Sequence, residues 1–347
     1  MNNVIHSHCQ TDPLKEVWIG GVYPSHFYQH LGSKAHDLFS QISEITQSDF
    51  CRLRKTIEKF GITVVEPKFD QVDHYLDHDD RLLKPPISPC DLALTLSNRL
   101  YVKNEYPSKI QPYQHAIDRY QNNHQDVVII DRESDDPWAW VEFASVVRAG
   151  RDLYIDHLKN NSSKQAIYKV ANELKEHYRI HISDTGDHSD GIFCPVKPGN
   201  IVATHYRKNY KNTFPDWEVF QLNPPMPTNF KNLRTWEKWW LPGIDYGHFN
   251  QMIIDNAESW LGNPHETVFD VNILVIDNHN IVCGAYNEKA FKYFESIGIT
   301  PHLVEIKSRY FWDAGIHCLT SDIHRTGELV DFWPDRGNNG IYTINEW

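Results

Sequence analysis

Five times along this chain of 347 residues roughly the same order of elements can be read: short β-type runs, in most rounds an amphipathic helix, and a further short strand. Each round takes roughly 60 residues, and a rhythm of that length limits the chain to a few architectures. In the first round EVWIGGV (16 to 22) is followed by a helical pattern from about Ser33, with Leu38, Ile42, Ile45, Leu53, Ile57 and Phe60 on one face, Gly61 as its stop, and ITVVEP as a strand. LALTLSNRLYV (92 to 102), IQPYQHAIDRY and DVVIID make the second round. FASVVRAGRDLYI (143 to 155), SSKQAIYKVANELKEHY and YRIHI make the third. DGIFCPV and NIVATHY, on either side of Pro198-Gly199, with WEVFQLN make the fourth. FDVNILVI, NIVCGAY, a helix at about 287 to 297 and PHLVEI make the fifth. The first round lacks one strand of its pair, and the run around Cys318 is left over to complete it. Such a count fits a closed, pseudo-symmetric α/β ring whose strand-pair ends converge on a central channel, and also an ordinary α/β sheet with several hairpins.

A net charge of -12 and a pI near 5.9 leave no basic stripe to neutralise phosphates, so neither nucleic acid nor an anionic membrane is expected as a partner. The N-terminus carries no basic segment followed by an apolar run, no window approaches a membrane span, and the cytoplasm is the expected compartment. The six cysteines (9, 51, 90, 194, 283 and 318) lack metal-site spacing and read as free thiols. His74 and His78 in HYLDHDD have ligand spacing, but the acids around them read as a solvated loop without a metal. One domain over residues 1–347 is expected. Between Pro224 and Asn263 an insertion with Trp236, Trp239, Trp240 and Trp260 interrupts the rhythm. A segment of this kind suits a lid, a subunit contact within a homodimer, or a satellite apolar cluster on the body.

The residues with chemistry sit at the edges of successive rounds. Cys318 in DAGIHCLTSDIHR reads as the thiol of a short strand, either a nucleophile or a small buried hydrophobe. His188 and Asp190 in HSDGIF alternate along an expected strand, which would put both side chains on one face about 7 Å apart. Asp91 opens DLALTL and Glu142 lies at the start of EFASVV. A ring would bring all five to one centre, where three carboxylates, an imidazole and a thiol suit a planar cation such as a guanidinium.

On these residues, the chain resembles the amidinotransferase family of the pentein superfamily of α/β propellers, a likeness that runs from DPLKEVWIG to GIHCLTSDIHRTG. The most specific pieces are an R-x-G-x-D hairpin in FASVVRAGRDLYI, an H-x-D run ending in P-G in HSDGIFCPVKPG, and GIHCLTSDIHR, similar to the family's F-H-C-x-T-x-D-x-R. The resemblance implies a five-fold propeller of ββαβ modules and a cofactor-free transfer of an amidino group from a guanidine donor, arginine, to an acceptor amine. It makes Cys318 the nucleophile, His188 the general acid and base, Glu142 the group orienting His188, Asp91 and Asp190 the guanidinium clamp, and Arg207 the ligand of the donor's carboxylate. His265 and Glu266 stand where the family's arginine:glycine enzyme has serines at the substrate's amino-acid end, and Asp313 enters its glycine-rich approach to the cysteine. Two other readings stand on the same superfamily: a guanidine hydrolase of the deiminase or dimethylarginine-hydrolase kind, and a non-catalytic binding protein.

Overall fold

The computed structural model describes residues 4–104, 107–132, 134–157, 161–183, 188–203, 210–222, 241, 249–260 and 271–343. Within them the strands form five small sheets. The first holds β1 (Leu14–Ile19), crosses over through α1 (Ser33–Glu58), and returns as β2 (Thr63–Val65) parallel to β1. The one-turn α2 (Pro89–Leu92) leads into the second, with β3 (Ala93–Leu96) and β4 (Arg99–Asn104) antiparallel, then α3 (Pro107–Ile110), α4 (Gln114–Asn122) and a parallel β5 (Asp126–Asp131). The third has the hairpin β6 (Val146–Ala149) and β7 (Asp152–Asp156), α5 (Asn161–Leu174) and β8 (Arg179–Ser183). The fourth has β9 (Phe193–Lys197), β10 (Asn200–Ala203), α6 (Tyr210–Thr213) and β11 (Glu218–Gln221). After α7 (Phe249–Ala257), the fifth runs β12 (Leu274–Asp277), β13 (Asn280–Cys283), α8 (Glu288–Ser296) and β14 (Thr300–Leu303). In the second to fifth sheets a hairpin gives an antiparallel pair, and in all five a helical crossover adds a parallel strand, the connection that parallel pairing requires.

The chain closes on itself. Beyond α9 (Arg309–Trp312), β15 (Thr320–Arg325) pairs antiparallel with β1, from Ile19 opposite Thr320 to Leu14 opposite Arg325, and supplies the strand that the first round lacked. The apolar core shows the same closure. One cluster joins the first and second modules through Trp18, Leu100 and Ile117. Others join the second and third through Leu94, Val146 and Val170, the third and fourth through Tyr154, Phe193 and Phe214, and the fourth and fifth through Val196, Val202, Ile281 and Phe294. The last joins the fifth back to the first through Leu274, Val282, Ile19 and Phe39. Five clusters between five neighbouring pairs make a ring, which decides against the open sheet.

Several expectations need correction. The runs EFAS and SDGI begin as 3-10 turns, Phe143–Ser145 and Ser189–Gly191, and Asp91 and Leu92 belong to α2 rather than to a strand. His188 caps the second of these turns, so it does not alternate with Asp190 along a strand. Cys318 lies in the turn before β15, not within it. The expected helix IQPYQHAIDRY is broken into α3, a 3-10 turn and α4 around Pro112, which has no amide hydrogen to donate. A sixteenth strand, β16 (Gly340–Thr343), adds parallel to β8 and was not foreseen. Trp260 is a core residue: its Nε1 donates to the Leu83 carbonyl at 3.0 Å, and its ring lies 5.0 Å from Phe39 and 5.1 Å from Trp312. Trp236, Trp239 and Trp240 lie outside the described residues. All six cysteines are free thiols, and among the described residues no helix is long and apolar enough to cross a membrane.

One buried ion network ties the modules together. Asp322 of β15 accepts from Arg148 Nη2 at 2.6 Å on each carboxylate oxygen and from Arg325 Nε at 2.7 Å. Arg148 also donates to Ser7 Oγ and to the Thr95 carbonyl, both at 2.8 Å, and Arg325 Nη2 donates to the Val275 carbonyl at 2.9 Å. Burial alone would raise the Asp322 carboxyl, but the two guanidiniums override it and hold it far below the usual carboxylate range. Asp322→Asn leaves two buried cations without their counter-charge and is expected to lower stability by about 3–5 kcal/mol in urea unfolding at pH 7. Because the folded-state pKa is depressed, the wild-type advantage is full above the unfolded pKa and narrows as pH falls below about 4. A loss under about 1 kcal/mol at pH 7 contradicts this account.

Candidate active site

Four of the site's elements are the short turns that precede the first strand of a module. Pro89 starts α2, whose single turn ends as Ala93 becomes extended, and this presents Cys90 and Asp91. Glu142 precedes the turn before β6, and His188 and Asp190 bracket the turn before β9. Residues 316–319 form the turn before β15, and α2 packs on both the 143–145 turn and β15. The fifth module also contributes, through Asn272, two residues before β12. Sequence reasoning missed this residue because an amide at the start of FDVNILVI looks like a strand boundary.

Asn272 is buried and makes three contacts with the others. Its Oδ1 accepts the Cys318 backbone N–H at 2.9 Å, and its Nδ2 donates to Cys318 Sγ at 3.0 Å and to Asp190 Oδ2 at 3.1 Å. This closeness depends on Gly315, where an added Cβ would stand 2.5 Å from the Asn272 side chain. The turn itself is held by Leu319 N–H on the Gly315 carbonyl at 3.1 Å and by Thr320 Oγ1 on the Ile316 carbonyl at 3.0 Å. The thiol is thus fixed at the end of a strand, half-exposed, with an amide donor aimed at its sulfur.

Asp190 is the junction of the site. Its Oδ2 also meets His317 Nδ1 at 2.9 Å and Cys318 Sγ at 3.4 Å. Burial works to raise its carboxyl, but the His317 hydrogen bond and charge, then His188 and Cys318, bring it below the usual range. Asp91 goes the other way: burial pushes it up, Glu142 and Asp190 add to that, and His188 and Lys109 oppose it. His188 therefore acts electrostatically on both Asp91 and Asp190. Glu142 Oε2 lies 3.7 Å from Nζ of Lys103, a buried lysine of β4 that alternation alone did not flag.

Cys318 and Asp190 are thus in contact, and His188 and Glu142 lie within electrostatic reach of the neighbouring Asp91. Asp313 is buried and has left-handed backbone (φ 52°) at the end of α9. Glycine is the usual residue there, with Asn and Asp the side chains that best tolerate it. Arg207, His265 and Glu266 lie outside the described residues. His74 and His78 are exposed on a loop where Arg81 donates to Asp77 Oδ2 at 3.1 Å. Among the described residues two groupings hold ligand-type atoms within 4.8 Å of one another: Asp77, His78 and Asp79 on that loop, and Cys90, Asp190 and His317 inside the site itself.

An N–H donor aimed at a sulfur stabilises its anion, here against the Asp190 carboxylate that accepts from the same thiol at 3.4 Å. Asn272→Ala is expected to move the pH profile of Cys318 alkylation by iodoacetamide to higher pH and to slow the reaction several-fold at pH 7. An unchanged profile in a variant with lower melting temperature would reduce Asn272 to a structural part.

No family model matches the chain. In sequence, 199 residues align at 24% identity with the mitochondrial glycine amidinotransferases of Gallus gallus and Danio rerio, which is 55% of this chain and 40% of the relative. In structure, the chain is similar to the inosamine-phosphate amidinotransferase of Streptomyces griseus (TM-score 0.68, 16% identity, 95% of this chain and 99% of the other). It is similar to the amidinotransferase of saxitoxin biosynthesis from Microseira wollei (TM-score 0.65, 16% identity, the same coverage). A dimethylarginine dimethylaminohydrolase from Pseudomonas aeruginosa aligns over 89% of this chain and 99% of its own at a TM-score of 0.51 and 12% identity. The fold is that of the penteins.

Proposed function

We propose that this pentein-fold chain, related in sequence to the glycine amidinotransferases, is an amidinotransferase that works through an amidino-Cys318 intermediate. The observation that carries the reading is the hydrogen-bonded set of Cys318, Asp190 and Asn272 at the meeting point of the turns, with Asp91 and His188 beside it.

The chemistry follows from those groups. A guanidinium carbon is a poor electrophile because resonance spreads its charge, so it must be held planar with a thiolate facing it. Asp91 and Asp190 are carboxylates that can hold that plane in bidentate fashion, and the bound cation in turn favours the Cys318 thiolate. Attack forms the S–C bond and a tetrahedral adduct. His188 then gives its proton to the departing amine, ornithine when the donor is L-arginine, and the C–N bond breaks to leave amidino-Cys318. An acceptor amine enters, His188 takes its proton, and the thiolate leaves as the amidino group moves to the amine. The resemblance adds Arg207 for the donor carboxylate, Glu142 for orienting His188, and His265, Glu266 and Asp313 for the substrate's amino-acid end.

The test is incubation with L-arginine, alone and with a panel of amines such as glycine, lysine, taurine and amino sugars. Transfer predicts ornithine and a new guanidino compound in parallel, formed only with an amine. Citrulline formed without any amine would mean hydrolysis and overturn the reading. His188→Asn is expected to cut turnover by about 10²–10⁴-fold while donor binding persists.

A further inference from the structure

Cys90 has no part in the transfer chemistry, yet it stands inside the site. Its sulfur, an Asp190 carboxylate oxygen and a His317 ring nitrogen all lie within 4.8 Å of one another. Cys318 Sγ adjoins this group, 3.4 Å from Asp190 Oδ2, the oxygen that meets His317 Nδ1 at 2.9 Å. One sulfur, one imidazole nitrogen and one carboxylate oxygen thus face one small space, with the Cys318 sulfur beside it. Cys90 and Asp190 are buried, while His317 and Cys318 are half-exposed and leave a way in from solvent.

We propose that Cys90, Cys318, Asp190 and His317 form an inhibitory site for a borderline-soft divalent cation, zinc being the best fit. Zinc prefers four ligands of this kind in a tetrahedron, with bonds of about 2.0–2.3 Å, which sets ligand atoms about 3.3–3.8 Å apart. The contacts of Asp190 with His317 and Cys318, 2.9 and 3.4 Å, are already near that spacing, and Cys90 lies within 4.8 Å of Asp190 and His317. Hard cations such as magnesium, which favour six oxygens, do not match two thiols. On binding, each thiol still protonated loses its proton to solvent and both sulfurs ligate as thiolates, so the charge of the ligand set is offset by the metal. The functional consequence rests on the transfer reading: the metal occupies the nucleophile and one arm of the guanidinium clamp, so cation and guanidine donor exclude each other. A chelator restores activity.

The binding itself is tested without turnover, which separates a failure of this site from a failure of the proposed reaction. Cobalt(II) is titrated into the full chain and followed by absorption, then displaced by zinc. One cobalt per chain is expected, with the strong visible bands of tetrahedral geometry and a thiolate-to-cobalt charge-transfer band. Cys90→Ser, with folding checked by circular dichroism and melting, should lose about half of the charge-transfer intensity and bind zinc at least tenfold more weakly. Cys90→Ala serves the same purpose if a serine hydroxyl is not tolerated at this buried position. Zinc should also protect wild-type Cys318 from iodoacetamide, and protect it at least tenfold less well in the Cys90 variant. The weak spectrum of octahedral cobalt without a thiolate band overturns the site. So does a folded Cys90 variant that binds and protects as the wild type does.

Discussion

Asp322, held between Arg148 and Arg325, is the interaction on which the ring depends. Its partners reach the third module through Arg148, the second through the Thr95 carbonyl, the fifth through the Val275 carbonyl and the N-terminal arm through Ser7. A strand that closes a ring from the far end of the chain needs a register, and a buried carboxylate held by two guanidiniums has one lowest-energy place. The cost of misplacing it is the cost of a bare charge in a dry interior. Cys318 lies four residues before Asp322, so the same network that closes the ring also sets where the thiol can stand.

The hairpin motif R-x-G-x-D takes a different meaning in this light. Arg148 serves Asp322. Gly150 turns with a φ of +62°, and an added Cβ would stand 2.1 Å from the Val330 carbonyl. Asp152 accepts from Arg179, His181 and Arg336 at 2.6–2.8 Å in a second buried cluster. All three are frame residues. The chemistry is instead carried by the turns one step earlier in each module. Each turn spends little backbone on pairing with its neighbours, and so can aim a side chain into the centre: Asp91, Glu142, His188 with Asp190, Asn272, and Cys318.

The architecture was legible because ββαβ rhythm is a local property: amphipathic helices, turn residues and short apolar runs all lie within a few residues of each other. The convergence of Cys318, His188, Asp190, Asp91 and Glu142 followed from the equivalence of their positions in the rounds. Their local backbone was not legible, because a buried 3-10 turn such as Phe143–Ser145 is as apolar as the strand it introduces. Asn272, His317 and Cys90 were invisible as site residues for a related reason. Their roles exist only as distances across modules, such as the 46 residues between Asn272 and Cys318 and the 127 between His317 and Asp190. The sequence left Trp260 open between a lid, a subunit contact and an apolar cluster on the body, because nothing in its neighbourhood announces that Phe39 and Trp312 form its wall.

The central claim is that Cys318 becomes covalently amidinated. Mass spectrometry of the intact chain, quenched in acid after brief exposure to L-arginine without acceptor and mapped to its peptides, tests it most directly. The account predicts one added amidino group, on the Cys318 peptide alone, discharged when an accepted amine is supplied and absent in Cys318→Ala. Ornithine release with no adduct on Cys318, or the same product formation by Cys318→Ala, would contradict it.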